Sequence, residues 1–252
     1  MEKINVIKVG GKIVEDSLED FLGEFSSVQG KKVLVHGGGR TATALAARLG
    51  IETKMVGGRR ITDKDMLEVV TMVYGGLVNK NIVAGLQARG IDASGMTGAD
   101  MDIIRSEKRP VKDVDYGYVG DVKAVRGEML AKVVESGTTP VVAPLTHDGK
   151  GNMLNTNADT IAASVAKGLV PFYEVTLTYC FEMPGVLADP EDPSSVIPVI
   201  TPESFETLKA DGTVSGGMIP KIENALDAVR SGVSKVVITK ANDLDGGTVI
   251  RL

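Results

Sequence analysis

The chain has 252 residues, of which 43% are hydrophobic and 24% charged, which is typical of a globular protein. Its formal net charge of -5 lacks the basic excess of a nucleic-acid-binding protein, so we expect no nucleic-acid partner. The single cysteine excludes an internal disulfide, and neither a secretion signal nor an apolar run of about 20 residues is visible, so we expect a cytoplasmic protein without a membrane partner.

Short runs rich in valine and isoleucine alternate with longer helical patterns along the chain. The predicted strands are Ile4–Val9, Lys32–Val35, Pro140–Ala143, Phe172–Thr178, Lys235–Thr239 and Thr248–Leu252. The predicted helices are Leu18–Ser27, Thr41–Leu49, Lys64–Arg89, Glu128–Ser136, Ala158–Lys167, Pro202–Ala210 and Met218–Ser231. This alternation predicts an α/β fold, a three-layer αβα sandwich with a mainly parallel central sheet. Residues 95–125 differ, because their short charged and glycine-containing segments predict hairpins at the sheet margin.

The predicted helix Lys64–Arg89 contains Gly75 and Gly76 in its interior, where each glycine costs about 1 kcal/mol relative to alanine. Close packing on the sheet and close approach of a second subunit both explain this pair. The second explanation is favoured by a broad apolar surface, made of Met66, Val69, Val70, Val73, Leu77, Ile82 and Leu86. We therefore expect a homodimer.

Lysines, glycines and aspartate recur at the junctions between predicted strands and helices. The four junction segments are Lys8–Gly11, His36–Gly39, Asn155–Asp159 and Gly216–Lys221. Glycine lets backbone N–H groups approach a phosphate without a Cβ in the way, and the positive end of a helix dipole favours an anion. The pattern therefore predicts a binding site for a polyanion.

Three nucleotide-binding schemes compete for this site. No GxxxxGK[ST] segment is present, which excludes a P-loop, and protein-kinase signatures are absent as well. The segment Gly37–Ala42 fits the GxGxxA fingerprint of a Rossmann site, but Glu52 lies too early and Asp63 too late for the ribose-binding acid. A Rossmann oxidoreductase that binds NAD stays as an alternative to a glycine-rich site with lysines distributed along the chain.

Six segments taken together resemble the amino acid kinase family, and within it the members that act on an N-acylated glutamate. They are Val6–Gly11, Val35–Gly39, Gly58–Asp63, Asn155–Asp159, Gly185–Leu187 and Gly217–Lys221. The resemblance implies an enzyme that transfers the γ-phosphoryl group of ATP to the side-chain carboxylate of N-acetylglutamate, in arginine or ornithine biosynthesis. The elements Arg60–Asp63 and Asn155–Asp159 favour this acceptor over those of related carboxylate and carbamate kinases.

The chemistry of that reaction matches the residue types. A glutamate carboxyl has a pKa of about 4.3, so the nucleophile is already ionised and needs no general base. The obstacle is repulsion, because each like-charge pair at about 4 Å costs roughly 1 kcal/mol in water and roughly 4 kcal/mol at an effective dielectric constant of 20. Catalysis must therefore come from positioning and from positive charge around the phosphoryl group.

By resemblance, Lys8 and Lys221 stabilise the transition state, Lys8 from the acceptor side and Lys221 from the ADP side. Asp159 would hold both ammonium groups in place. The plain alternative is two surface lysines and a helix-capping aspartate.

The resemblance assigns the acceptor to backbone N–H groups and two side chains. Gly11, Gly38 and Gly39 would offer the N–H groups, Arg60 would clamp the α-carboxylate, and Asn155 would bind the acylated amino group. A plain N-cap and first helical turn is the alternative for the Asn155–Asp159 element. The preceding His36 is expected to pack or form hydrogen bonds rather than to catalyse.

Two lobes sharing one sheet are expected, with residues 1–167 binding the acceptor and forming the dimer and residues 168–252 binding ATP. The residues expected at the nucleotide are Glu182, Met183, Pro184, Gly185, Val186, Leu187, Thr213, Val214 and Ser215. Magnesium would be held mainly by phosphates and water, so we expect no metal-ligating protein residues.

Two departures from the family pattern bear on function. The segment Thr178–Pro184 replaces the usual Thr-Asp-Val before Pro-Gly, and Arg59 stands where the family commonly has leucine. The Arg59 guanidinium could receive an extra carboxylate, as in N-succinylglutamate, or simply be solvated. A non-catalytic sensor of an amino acid or nucleotide is a further alternative, although such a protein would be expected to lose Lys8, Asp159 or Lys221.

Overall fold

A mainly parallel sheet forms the centre of the computed structural model, which describes residues 1–252. The strands are β1 Lys3–Val9, β2 Lys31–His36, β3 Met55–Val56, β4 Arg59–Arg60, β5 Ala93–Met96, β6 Ile104–Lys108, β7 Gly120–Val125, β8 Thr139–Val142, β9 Leu145–His147, β10 Met153–Asn155, β11 Glu174–Phe181, β12 Val199–Ile200, β13 Lys235–Lys240 and β14 Thr248–Ile250. Eight of them form the central sheet in the order β12-β14-β13-β11-β1-β2-β8-β5, in which only β13 and β14 pair antiparallel. A four-stranded sheet, β10-β9-β6-β7, and the hairpin β3-β4 lie beside it.

Helices cover both faces of the central sheet. The α-helices are Gly11–Asp16, Leu18–Ser27, Gly39–Arg48, Lys64–Val70, Asn79–Gln87, Gly127–Glu135, Ala158–Leu169, Pro202–Ala210 and Met218–Arg230. Side chains of β1 alternate between two cores: Ile4 and Val6 belong to one, and Ile7 and Val9 to the other. This arrangement confirms the predicted α/β sandwich.

The predicted and observed elements differ where long-range pairing decides the structure. Strand β5 was not predicted, although it forms the edge of the central sheet by pairing with β8. The region predicted to form hairpins at the sheet margin does contain an antiparallel pair, β6 and β7, but this pair belongs to the separate four-stranded sheet. Strand β11 continues to Phe181, three residues beyond the predicted end.

The segment Lys64–Gln87 is one continuous helix, in which Thr71–Val78 has π-helical hydrogen bonding around the two glycines. Most of the apolar surface that was expected to meet a second subunit is instead part of the protomer's own core. The residues buried there are Met66, Val69, Val70, Val73, Ile82 and Leu86. Only Leu77 of the predicted set is exposed, and the sequence did not predict that Met72 is exposed beside it.

This helix is also long and apolar enough to cross a membrane, by length and composition only. It is not an uninterrupted apolar run of about 20 residues, because Glu68, Asn79 and Lys80 lie within it. A buried core helix meets the same criterion, so the finding is weak support for a membrane span.

Candidate active site

The carboxyl ends of three neighbouring strands form one edge of the site. Strand β1 lies between β2 and β11 and is parallel to both, and Lys8 is paired with Val35 on one side and Tyr179 on the other. The glycine segments that follow β1 and β2 therefore lie side by side, as is usual for ligand sites of open α/β sheets.

The two glycine segments pack backbone to backbone. A Cβ on Gly11 would lie 3.2 Å from the amide nitrogen of Gly38 and 3.3 Å from that of Gly39. A Cβ on Gly37 would lie 2.9 Å from the nitrogen of Gly11. The helix Gly39–Arg48 begins here without a side-chain cap, so its first N–H groups and its positive dipole end are available to an anion.

His36 supports this loop from inside the protein. Its Nδ1 lies 2.8 Å from the carbonyl oxygen of Gly37, and the Asn79 side-chain amide donates to its Nε2 at 3.0 Å. Burial lowers the pKa of His36 to about 4, so the ring is neutral at pH 7. The prediction that His36 packs and forms hydrogen bonds is confirmed.

A cavity of about 450 Å³, here called the acceptor cavity, lies over these glycines. Its side chains include Arg60, which is 9% exposed and forms no ion pair. The Arg60 guanidinium donates to the carbonyl oxygen of Gly39 at 2.8 Å and to the hydroxyl of Thr43 at 2.9 Å. A buried cation without an anionic partner is costly, so this arrangement is suited to receive a carboxylate.

The Asn155 side chain reaches the same cavity from β10. Its amide donates to the hydroxyl of Thr62 at 2.9 Å. The cap of the following helix, Ala158–Leu169, is Asn157, whose side chain accepts from the backbone N–H groups of Asp159 and Thr160. Asn155 is therefore not the N-cap, and the capping alternative does not apply to it.

Lys8 and Asp159 lie at the junction with a second cavity. Lys8 Nζ is 2.7 Å from Asp159 Oδ1, a close ionic contact that lacks hydrogen-bond geometry. The second cavity, about 590 Å³ and here called the donor cavity, contains Lys221, and Asp159 lines both cavities.

Lys221 does not form an ion pair with Asp159. Its Nζ instead lies 4.2 Å from the centroid of the Phe181 ring, and Lys8 Nζ lies 5.4 Å from the same centroid. The predicted contact of Asp159 with both ammonium groups is thus present for Lys8 only, and the two amines line adjoining cavities and meet at the Phe181 ring.

The residues expected at the nucleotide fall into two groups. Val186, Leu187 and Val214 are buried in the core, and the Val186 N–H already donates to the Thr248 hydroxyl at 2.8 Å. Glu182, Met183 and Ser215 are exposed, while Pro184 and Thr213 are half-buried and Gly185 is buried. Glu182 forms an ion pair with Lys12, and none of the nine expected residues lines the donor cavity.

Several residues of the site were not singled out by sequence reasoning. Tyr74 packs where a Cβ on Gly38 would lie, and Arg109 lines the acceptor cavity while paired with Asp121 at 2.6 Å. No spacing in the sequence connects these residues with the glycine loops, because long-range packing brings them together. No group of three or more His, Cys, Asp or Glu side chains is placed to hold a metal ion.

Comparison with known proteins defines the class. The model of the amino acid kinase family matches residues 3–240, so the chain belongs to that family and is a kinase. Among curated relatives, proteins named acetylglutamate kinase are 63% identical in Phocaeicola vulgatus, covering 99% of each chain, and 64% identical in Bacteroides thetaiotaomicron, covering 96% of this chain and 95% of that one.

Solved structures agree with this assignment. A protein from Streptococcus mutans UA159 is 31% identical, with a TM-score of 0.81 and 98% coverage of both chains. Carbamate kinase from Giardia lamblia bound to AMP-PNP has a TM-score of 0.69 at 13% identity, with 99% of this chain and 98% of that chain covered, a likeness of fold alone.

Proposed function

We propose that the protein transfers the γ-phosphoryl group of ATP to the side-chain carboxylate of N-acetyl-L-glutamate, giving N-acetyl-L-glutamyl 5-phosphate for arginine or ornithine biosynthesis. The observation that carries the proposal is the convergence of Lys8 and Lys221 on one ring, with Asp159 in the wall shared by two adjoining cavities. The high identity to proteins named acetylglutamate kinase supports the choice of acceptor.

The charge of the acceptor cavity suits a dianion. Four cationic side chains, Lys8, Arg59, Arg60 and Arg109, face two anionic ones, Asp121 and Asp159. N-acetylglutamate carries two carboxylates and no amine charge, so it would balance this excess. A free amino acid, with its additional ammonium group, would not.

Each acceptor group has a matching donor in this cavity. Arg60 would bind the α-carboxylate through a guanidinium already fixed by hydrogen bonds to Gly39, Thr43 and Thr53. Asn155 would bind the acylated amino group. The N–H groups of Gly11, Gly38 and Gly39 would then face the reacting carboxylate and the phosphoryl oxygens, where negative charge is concentrated in the transition state.

Phosphoryl transfer would take place between the two lysines. Attack by the acceptor oxygen on the γ-phosphorus breaks the bond to the bridging oxygen, and ADP leaves on the side of Lys221. Lys8, held by Asp159, would neutralise the acceptor side of the PO₃ group, and Lys221 the ADP side. No proton has to be removed, because the attacking carboxylate is ionised.

We propose that ATP binds in the C-terminal lobe, residues 168–252, and the acceptor in the N-terminal lobe, residues 1–167. The helix Met218–Arg230 begins at Gly217 without a side-chain cap, next to the donor cavity, which suits phosphate oxygens. Mg²⁺ would be bound by those phosphates and by water. We propose that the protein carries out this reaction in the cytoplasm.

A dimer is proposed through the exposed face of the helix Lys64–Gln87. Met72 and Leu77 are each 52% exposed there, and a Cβ on Gly76 would meet no atom within 4 Å, which leaves room for a second copy. Sedimentation should give a dimer for the wild type and a monomer of similar unfolding free energy for Leu77→Glu. A monomeric wild type would contradict the dimer.

A second acyl group is supported by the position of Arg59. It is exposed, lines both cavities and forms no ion pair, so it could bind the extra carboxylate of N-succinylglutamate. Comparing kcat/KM for the acetyl and succinyl acceptors, in the wild type and in Arg59→Leu, tests this. A strong acetyl preference that the substitution leaves unchanged would remove the alternative.

The reaction itself is tested by ADP release with N-acetylglutamate, N-succinylglutamate, glutamate, aspartate and carbamate as acceptors. Hydroxylamine added to the assay converts an acyl phosphate into a stable hydroxamate. We expect ADP and hydroxamate in equal amounts with an N-acylglutamate only. ADP release without hydroxamate, or turnover with carbamate alone, would contradict the proposal.

A further inference from the structure

The aromatic ring of Phe181 occupies an unusual place in the site. Phe181 is the last residue of β11 and lines the donor cavity. Its ring is stacked on that of Tyr179, with the centroids 6.3 Å apart and the planes at 23°. Tyr179 is itself buried and donates its hydroxyl to the carbonyl oxygen of Asp159 at 3.3 Å. The Phe181 ring is therefore supported on one face by Tyr179, which is itself fixed by burial and a hydrogen bond.

Lys8 and Lys221 both contact this ring, but they differ in burial and in their other partners. Lys8 is buried and has Asp159 as a second partner. Lys221 is exposed and forms no ion pair, and the Phe181 ring at 4.2 Å is the contact that its ammonium group makes. The orientation of Lys221 thus depends on the ring more than that of Lys8 does.

A ring and a carboxylate would hold Lys221 with different consequences. A carboxylate would neutralise the ammonium charge and would compete with the phosphoryl oxygens for it. An aromatic face attracts a cation through its quadrupole while carrying no net charge. The ammonium group therefore keeps its full charge for the polyphosphate, and no ion pair has to be broken when the nucleotide binds.

We propose that Phe181 is a positioning residue that holds the ammonium group of Lys221, through a cation–π contact, in the path of the transferred phosphoryl group. This role rests on the proposed kinase reaction. It also gives a physical reason for an aromatic residue within the segment Thr178–Pro184, which departs from the family pattern.

The cation–π contact can be weakened stepwise without a change of shape. Replacing Phe181 with 4-fluoro-, 3,5-difluoro- and 3,4,5-trifluorophenylalanine withdraws electrons from the ring face progressively. We expect kcat to fall with each added fluorine and to reach about a tenfold loss, or about 1.4 kcal/mol, in Phe181→Leu. KM for the acceptor should stay within about twofold, because the ring does not line the acceptor cavity.

A double-mutant cycle with Lys221→Met separates positioning from general packing. If the ring acts through Lys221, Phe181→Leu should have little further effect on kcat in the Lys221→Met background. Phe172→Leu is the matched control, since this exposed phenylalanine lies outside both cavities and its loss should leave kcat unchanged. An equal tenfold loss with and without Lys221, or a kcat that does not respond to fluorination, would overturn the proposal.

An NMR measurement that does not depend on turnover tests the contact between Lys221 and Phe181 separately from the kinase reaction. Reductive ¹³C-methylation gives each lysine an NMR signal, and Lys221→Arg identifies the one from Lys221. Its ring-current shift should be present in the wild type and lost in Phe181→Leu, and a wild type without the shift would overturn the proposal. A shifted signal in a protein that releases no ADP with any acceptor would refute the kinase reaction instead.

Discussion

The acceptor and donor sides of the site are built differently. Arg60 and Asn155 are 9% and 8% exposed and are fixed by hydrogen bonds to other residues of the protein. On the donor side, Lys221, Asn224 and Asp227 line the donor cavity and are exposed. Buried polar groups that lack a partner penalise the wrong ligand most strongly. We infer that discrimination between substrates resides on the acceptor side, while the donor side binds phosphates common to every nucleotide triphosphate.

The largest expected effect comes from Lys8, where the two sides meet. Lys8→Met should lower kcat by about 10³-fold, because it removes charge stabilisation that is strongest in the transition state. KM for either substrate should change by no more than about threefold. Steady-state kinetics checks this, with Lys54→Met, at an exposed lysine outside both cavities, as the control. A raised acceptor KM with intact kcat would instead make Lys8 a binding residue.

His36, which supports the glycine loop of the acceptor side from inside the protein, should make the free energy of unfolding depend on pH. The folded-state pKa of His36, about 4, lies below its ordinary value of 6.5, so the unfolded chain binds a proton that the folded protein does not. The free energy of unfolding therefore keeps its full His36 contribution above pH 6.5. As the pH falls from 6.5 toward 4, it decreases by about 3 kcal/mol in total.

Urea unfolding across that pH range, in the wild type and in His36→Gln, isolates the contribution of this side chain. The difference in unfolding free energy between the two proteins should shrink as the pH falls. Parallel curves for the wild type and His36→Gln would show that His36 does not titrate as described.

Arg60→Lys tests the selectivity of the acceptor side more gently, because it keeps the charge. An ammonium group cannot replace the planar fork, whose Nη2 donates to Gly39 and Thr43 while its Nη1 donates to Thr53, so acceptor KM should rise about 30-fold. KM for ATP should stay within about twofold. Arg48→Lys, on the exposed end of the helix Gly39–Arg48, is the matched control. Equal increases in both KM values would remove the distinction between the two sides.

The smallest expected effect is that of Gly11→Ala. The added Cβ would lie 3.2 Å and 3.3 Å from the amide nitrogens of Gly38 and Gly39, and so would narrow the anion cradle. We expect kcat/KM for the acceptor to fall about tenfold. Gly23→Ala, where a Cβ meets no atom within 4 Å, should leave kcat/KM unchanged and raise the unfolding free energy by up to about 1 kcal/mol. Unchanged activity in Gly11→Ala would show that the cradle does not contact the substrate.

The same contrast explains what could be predicted from the sequence. Lys8, Gly11 and Gly38 follow the ends of apolar strands, and parallel strands place such residues at one edge of a sheet. Their proximity follows from local pattern and topology. The α/β class was predictable for the same reason, since strands and helices alternate along the chain.

The residues of the donor side could not be predicted, because their positions are set by long-range contacts that no local sequence pattern reveals. Leu187 forms a β-bridge with Val196, and Val186 bonds to Thr248, which buries residues that were expected at the nucleotide. The contact of Lys221 with Phe181 joins residues that are far apart in the chain. Most of the surface predicted to form the subunit interface is buried within the protomer for a related reason: helical periodicity identifies an apolar face, but not which neighbour covers it.

The central claim is that Lys8 and Lys221 together neutralise the phosphoryl group during transfer. Its most direct test compares two affinities in Lys8→Met and Lys221→Met. One is the affinity for the complex of MgADP, aluminium fluoride and N-acetylglutamate, in which aluminium fluoride mimics the transferring PO₃ group. The other is the affinity for MgAMP-PNP. The account predicts that each substitution weakens the mimic by about the factor lost in kcat and leaves AMP-PNP binding within about threefold. Equal weakening of both ligands would contradict it.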